Sequence, residues 1–135
     1  ILLIIIINKG DGMQRNTLQR QEIIEAMKSC YDHPTIKELY ELVNKKNKNI
    51  GQATVYRTIK SLVSDDIVKR IDCPDGVHYD YRKDHYHFYC LNCGKITDVF
   101  LDTNLIDNLL SASNLNDIKD INLVFEGICD SCKGK

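Results

Sequence analysis

Two Cys-x-x-Cys pairs, Cys90-Leu91-Asn92-Cys93 and Cys129-Asp130-Ser131-Cys132, are separated by 35 residues in a chain of 135. Each pair turns two thiolates to one side of a loop, and two such turns complete a tetrahedral four-sulfur site of the kind zinc takes. Gly94 follows Cys93 directly, where a knuckle needs the positive φ that only glycine adopts cheaply. Four protein sulfurs leave no open coordination position, so the site is expected to hold the fold and not to catalyse. A thioredoxin-like redox pair competes with this reading, as does a disulfide framework built from the six cysteines. The paired spacing, with no secretory signal ahead of it, favours a metal in a reducing compartment, and hence a cytoplasmic protein.

At this length the chain is one ordinary domain or two very small ones, which excludes a large enzyme scaffold. With 43% hydrophobic and 27% charged residues it is a folded protein, and with no Trp its core must be aliphatic. The formal net charge of −1 rules out a uniformly basic nucleic-acid binder, but residues 1–82 carry 13 Lys and Arg against 11 Asp and Glu, and residues 83–135 carry 5 against 8. That asymmetry permits a DNA-facing N-terminal half. The run Ile1 to Ile7 has seven apolar residues with no basic residue before it. A bilayer span needs roughly 18, so it is not a membrane anchor. Met13 opens a polar helix start, and residues 1–12 are expected to be an extension foreign to the fold, from an upstream start or an added expression segment; a short extra strand or interface segment is the opposing reading.

Thr17 is expected to cap a first helix with Ile23, Met27 and Cys30 on its buried stripe, ending between Ser29 and Asp32. His33-Pro34-Thr35 should begin a second, with proline in the first turn and Ile36, Leu39, Leu42 and Val43 inward. A third, about Gly51 to Ser64, has the inner stripe Val55, Ile59 and Leu62. At roughly 100° per residue Arg57 points away from that stripe, and Gln52, Tyr56 and Lys60 flank it. A solvated helix face is the plain reading of this pattern. The segments after the helix favour another: Ile67 to Ile71, a Pro74-Asp75-Gly76 turn and Val77 to Tyr81 read as a β-hairpin. Three helices and a hairpin make a winged helix-turn-helix domain, here over residues 13–82. Beyond it, strands at His87 to Leu91, Ile96 to Leu101 and Ile121 to Gly127, with a helix over Thr103 to Ser113, predict a small unit with an antiparallel sheet over 83–135. The whole is α+β. So small a second unit needs a metal, a second copy of itself, or both.

His85 and His87 share a strand face, with Asp80 just upstream and Asp98 on the strand after the knuckle. Each taken singly is a structural or solvated residue; together they offer four nitrogen and oxygen ligands. Without sulfur, the set suits Fe2+ or Mn2+ at least as well as Zn2+.

Several stretches together resemble the ferric uptake regulator family, and within it the peroxide-sensing repressors. They are His33-Pro34-Thr35 with Glu38-Leu39-Tyr40, the run Ala53-Thr54-Val55-Tyr56-Arg57-Thr58, Tyr79-Asp80, Asp84-His85-Tyr86-His87, the segment from Cys90 to Ile96, Asp98, and Gly127-Ile128-Cys129 with Cys132. The resemblance spans Thr17 to Cys132. It implies a homodimeric, metal-dependent transcriptional repressor of double-stranded operator DNA, with a winged-helix domain and a dimerisation domain. Carried over position by position, it puts the regulatory Fe2+ or Mn2+ on His33, Asp80, His85, His87 and Asp98, adding His33 to the set read from the pattern. It puts structural zinc on the four cysteines and DNA contacts on Gln52, Thr54, Tyr56, Arg57 and Lys60. Aspartate at 80 and 98 resembles the peroxide-sensing branch, in which iron-catalysed oxidation would fall on His33 and His85.

Three departures from the family pattern stand out. The family's first helix, ahead of Thr17-Leu18-Gln19-Arg20, is expected to be absent or replaced by the Ile-rich run; His78 stands where arginine is common, so a wing contact is expected to be weakened or pH-sensitive; and residues 114–126 hold no histidine for an additional metal site. The rival within the family is a repressor that reports iron or manganese availability. Outside it, a small zinc hydrolase is disfavoured because five protein ligands leave little room for substrate, and a zinc-ribbon module without DNA binding is disfavoured by the winged-helix pattern. No enzyme activity is expected.

Overall fold

The computed structural model describes residues 11–45, 49–82 and 84–134. The Ile-rich run lies outside them. The elements in order are α1 (Asp11–Ser29), α2 (Ile36–Val43), α3 (Gln52–Ser64), β1 (Lys69–Cys73), β2 (Gly76–Asp80), β3 (Tyr86–Cys90), β4 (Ile96–Val99), α4 (Thr103–Ser113) and β5 (Val124–Gly127). Two compact units result. The first runs to Arg70 and takes in His78–Tyr81; the second comprises Ile71–Val77 and everything from Arg82 on. The division therefore passes through the β1–β2 hairpin. No helix among the described residues is long and apolar enough to cross a membrane.

In the first unit α1, α2 and α3 pack on one another through aliphatic residues at helical spacing. Ile23 and Met27, Leu39 and Val43, and Val55, Ile59 and Leu62 are all buried. Each is worth about 1.5–3 kcal/mol of apolar burial. Arg20 reaches from α1 to Ser61 and Asp65, at 3.2 Å each, but this brace is half-exposed and contributes little. The helix starts differ from expectation. α1 begins at Asp11, so Thr17 lies inside it and does not cap it. α2 is capped by Thr35, whose side chain accepts from the Glu38 backbone while Glu38 bonds back to the Thr35 N–H at 2.9 Å. This capping box leaves Pro34 ahead of the helix, not in its first turn.

The hairpin is shorter than the sequence predicts at its near end. The Ile67 and Val68 N–H groups both donate to the Leu62 carbonyl, at 2.8 and 3.2 Å, after Asp66 takes φ 60°. Those donors close the end of α3 and are lost to the ladder. Gly76, with φ 134°, opens β2.

In the second unit the sheet order is β4-β3-β5. β3 and β4 are antiparallel, with His87 opposite Asp98, whereas β5 lies parallel to β3, with Cys90 opposite Gly127. The β3–β4 pair is antiparallel, as the sequence pattern predicts, and β5 adds a parallel strand to it. The reason is in the cysteines: two knuckles can meet only if the strands that lead into them end at the same edge, and α4 provides the crossover that a parallel pair requires. Pairing begins at Val124, three residues later than expected. α4 buries none of its residues, and Leu105 and Leu109 are about half exposed.

Candidate metal centres

Cys90 ends β3 and Cys129 follows β5 by two residues, so both knuckles leave one edge of the sheet. The Leu91 N–H donates to the Gly127 carbonyl at 2.7 Å and ties the turns together. Gly94 takes φ 76° and donates to the Cys90 carbonyl at 2.8 Å, the knuckle turn expected of it. The four sulfurs lie within 4.8 Å of one another, and Cys93 and Cys129 are 3.8 Å apart. A tetrahedron with metal–sulfur bonds of about 2.3 Å has edges of about 3.8 Å, so the donor set fits zinc in both chemistry and size. Backbone N–H groups of Cys129 and Cys93 point at the Cys90 sulfur, at 3.4 and 3.5 Å, and pull its thiol down to about 6. Cys132 is drawn downward by Asn92, but its neighbour Cys129 and burial prevail and push it up to about 11.

The candidate nitrogen and oxygen ligands fall into two sets, one in each unit. In the second unit His85 lies just before β3 and His87 within it, their ring centroids 4.7 Å apart. Asp98, facing His87 across the ladder, brings Oδ1 to 3.1 Å from His85 Nε2 and 3.9 Å from His87 Nε2. Both imidazoles are buried. The ring of Phe100 tilts over His85 with centroids 5.4 Å apart. Sequence reasoning missed Phe100, which carries no pattern signal just beyond a strand end. In the first unit His33, in the turn between α1 and α2, places Nε2 3.3 Å from Oδ2 of Asp80 at the end of β2, both buried. Imidazole and carboxylate without sulfur suit Fe2+, Mn2+ or Zn2+.

On α3 the stripe Val55, Ile59 and Leu62 faces inward, while Gln52, Tyr56, Arg57 and Lys60 are exposed and Thr54 is half-buried. Arg57 Nη2 donates to Thr54 Oγ1 at 3.3 Å. His78 is not on an exposed wing: it is buried, with Nδ1 2.7 Å from the His33 carbonyl oxygen. The ring thus faces the turn before α2 and not outward, whereas the sequence pattern puts it at a wing contact, weakened or pH-sensitive.

A three-helix unit with a hairpin, followed in sequence by a strand unit carrying a cluster of four cysteines, is a winged-helix domain joined to an α+β metal-binding domain. The ferric uptake regulator family profile matches residues 11–125. The ferric uptake regulation protein of Bacillus subtilis (strain 168) is 35% identical over 127 residues, 88% of this chain and 85% of that protein. The peroxide-responsive repressor PerR of Staphylococcus aureus (strain USA300) is 32% identical over 124 residues, 90% and 84% of the two chains. The crystal structure of the Campylobacter jejuni peroxide stress regulator superimposes with a TM-score of 0.78 at 27% identity, covering 98% of this chain and 100% of that one. The chain belongs to the ferric uptake regulator family, whose members are metal-responsive transcriptional regulators and not enzymes.

Proposed function

We propose that this protein is a homodimeric repressor that binds double-stranded operator DNA when a regulatory metal is bound, and that it senses peroxide through oxidation of metal-ligand histidines. Zinc on Cys90, Cys93, Cys129 and Cys132 holds the second unit. Fe2+ or Mn2+ is held by His33, Asp80, His85, His87 and Asp98 together. The observation that carries this reading is the pairing of buried imidazoles with aspartates in both units, His33 with Asp80 and His85 with Asp98. Ligands from both units on one ion bias their mutual orientation, and so where the two α3 helices of a dimer lie relative to successive major grooves roughly 34 Å apart. The exposed Leu105, Leu109, Leu115, Phe125 and Ile128 of the second unit supply an apolar surface for the second copy. On this reading the protein works in the cytoplasm with DNA as its partner.

Bound Fe2+ supplies one-electron reduction of peroxide, which Mn2+ in the same ligands largely lacks. With iron held there, an imidazole C–H of His33 or His85 would become C–O, with one peroxide oxygen inserted, the other released as water, and the second electron returned from the ring to iron so that Fe2+ is regenerated. The oxidised ring then ligates poorly. The rival reading, a sensor of iron or manganese availability, draws on the 35% identity to the Bacillus subtilis protein. Aspartate at both 80 and 98 supports the peroxide reading. Operator binding by the iron- and manganese-loaded forms before and after brief peroxide separates them. Release of the iron form alone is expected; equal behaviour of both forms contradicts peroxide sensing at the metal.

A further inference from the structure

His33 takes φ 56°, the left-handed region, and Pro34 follows it. That region is uncommon for any residue with a side chain, and a residue ahead of proline is steered toward extended backbone. Local preference therefore does not produce this turn. β2 holds it through three successive residues. The His33 carbonyl is 2.7 Å from His78 Nδ1, the Pro34 carbonyl accepts the Tyr79 N–H at 2.9 Å, and Asp80 Oδ2 is 3.3 Å from His33 Nε2. A carbonyl oxygen only accepts, so His78 is the donor and carries its proton on Nδ1. His78 and Asp80 are two residues apart on a strand and share one face. One of them grips the backbone of His33 and the other meets its ring.

We propose that His78 is a positioning residue for the regulatory metal, fixing the backbone conformation that aims the His33 imidazole toward Asp80. The proposal rests on the reading that His33 and Asp80 are ligands of that metal. His78 itself ligates nothing in this account. It sets the direction of a ligand through the main chain, in place of the more usual hydrogen bond to the ligand's own ring. Residues held in sparsely populated backbone regions persist only where their surroundings enforce them. Of the three contacts from β2, the His78 hydrogen bond is the one that a side chain makes to the main chain of His33 itself.

The test uses full-length, zinc-loaded protein titrated with Mn2+ against a fluorescent chelator, with melting temperatures measured without Mn2+. His78→Leu and His78→Asn introduce the same four-heavy-atom branched side-chain skeleton, and only Asn keeps an N–H close to where Nδ1 stands. The Leu variant should bind Mn2+ about 10- to 100-fold more weakly, the range seen when a group orienting a metal ligand is lost. The Asn variant should return to within about threefold of the parent, a recovery that follows the donor and not the melting temperature. Equal Mn2+ affinity in the Leu variant and the parent, or equal losses in Leu and Asn, overturns the proposal. A His33→Ala control separates the two claims. If the parent binds no Mn2+ that this change abolishes, the metal reading itself fails and the proposal with it. Should both His78 variants fail to fold, 15N NMR of the parent's imidazoles decides: a proton on Nδ1 of His78 supports the proposal and one on Nε2 alone overturns it.

Discussion

Asp98 Oδ1 lies 3.1 Å from Nε2 of His85, while its own residue stands opposite His87 in the β3–β4 ladder. One carboxylate oxygen thus faces two buried imidazoles two residues apart, at 3.1 Å from His85 and 3.9 Å from His87. Asp98→Ala should weaken Mn2+ binding by about 10- to 100-fold, matching the roughly 1.5–3 kcal/mol of a lost interaction with a charged group. Zinc content should stay at the parent's value, because the cysteine knuckles stand at the other end of β3. Metal analysis after dialysis, with a chelator titration, checks both. Simultaneous loss of zinc would mean that Asp98 supports the fold and not a separate metal.

The cysteine site should dominate the stability of the second unit. Replacing any one of Cys90, Cys93, Cys129 or Cys132 with Ser should unfold or monomerise it, since structural zinc in small domains contributes on the order of 10 kcal/mol of apparent binding energy. The thiol pKa values set the pH dependence. With Cys132 pushed up to about 11, its proton must leave for zinc to bind at neutral pH; Cys90, drawn down to about 6, is already a thiolate there and takes up a proton only below that. Zinc affinity should therefore fall as pH falls, and more steeply below about 6. Chelator competition between pH 5.5 and 8 measures this, and a flat profile contradicts the assignment.

Arg57 lies opposite the buried stripe of α3 and Tyr56 flanks it, and both are exposed. Arg57→Ala should cost about 1–3 kcal/mol of operator affinity, and Tyr56→Ala should reduce discrimination between sequences, since a ring can pack on a thymine methyl. Affinity should fall with salt in proportion to the phosphates neutralised. Fluorescence anisotropy with operator and scrambled duplexes checks all three. Parental behaviour in both variants would exclude α3 as the reader.

Thiol oxidation offers a different route for peroxide, and Cys73 is poorly suited to it. Burial first, then the carboxylates of Asp75, Asp72 and Glu126, push its thiol up to about 11. A protonated thiol is a poor nucleophile. Cys73 should react with iodoacetamide at pH 7.5 far more slowly than an exposed thiol, and accelerate as pH rises toward 11. Mass mapping of the alkylated protein checks this, and rapid labelling at pH 7.5 contradicts it.

Much of this architecture is legible in the residues themselves. The Val55, Ile59, Leu62 stripe and both C-x-x-C turns are local patterns, and α4 has the bounds its sequence predicts, Thr103 to Ser113. What local pattern does not supply is direction. The parallel run of β5 follows from where the knuckles must meet, a tertiary demand with no trace in the alternation of residues 121–127. Thr17 and Pro34 mislead about helix starts because each residue type fits more than one position near a helix end. His33 emerges only through family resemblance, since a histidine before proline in a turn carries no ligand signal. His78 misleads for a related reason: the hairpin pattern makes it a wing residue, and only the fold buries it against the His33 carbonyl.

The most direct test is mass spectrometry of peptides from iron-loaded protein carrying Cys30→Ser and Cys73→Ser, after brief low peroxide, beside the manganese-loaded form. A gain of one oxygen on the peptide containing His33 or that containing His85 is expected in the iron form alone, together with loss of operator binding. Unmodified histidines in a protein that has released its operator, or equal modification of the manganese form, would contradict it.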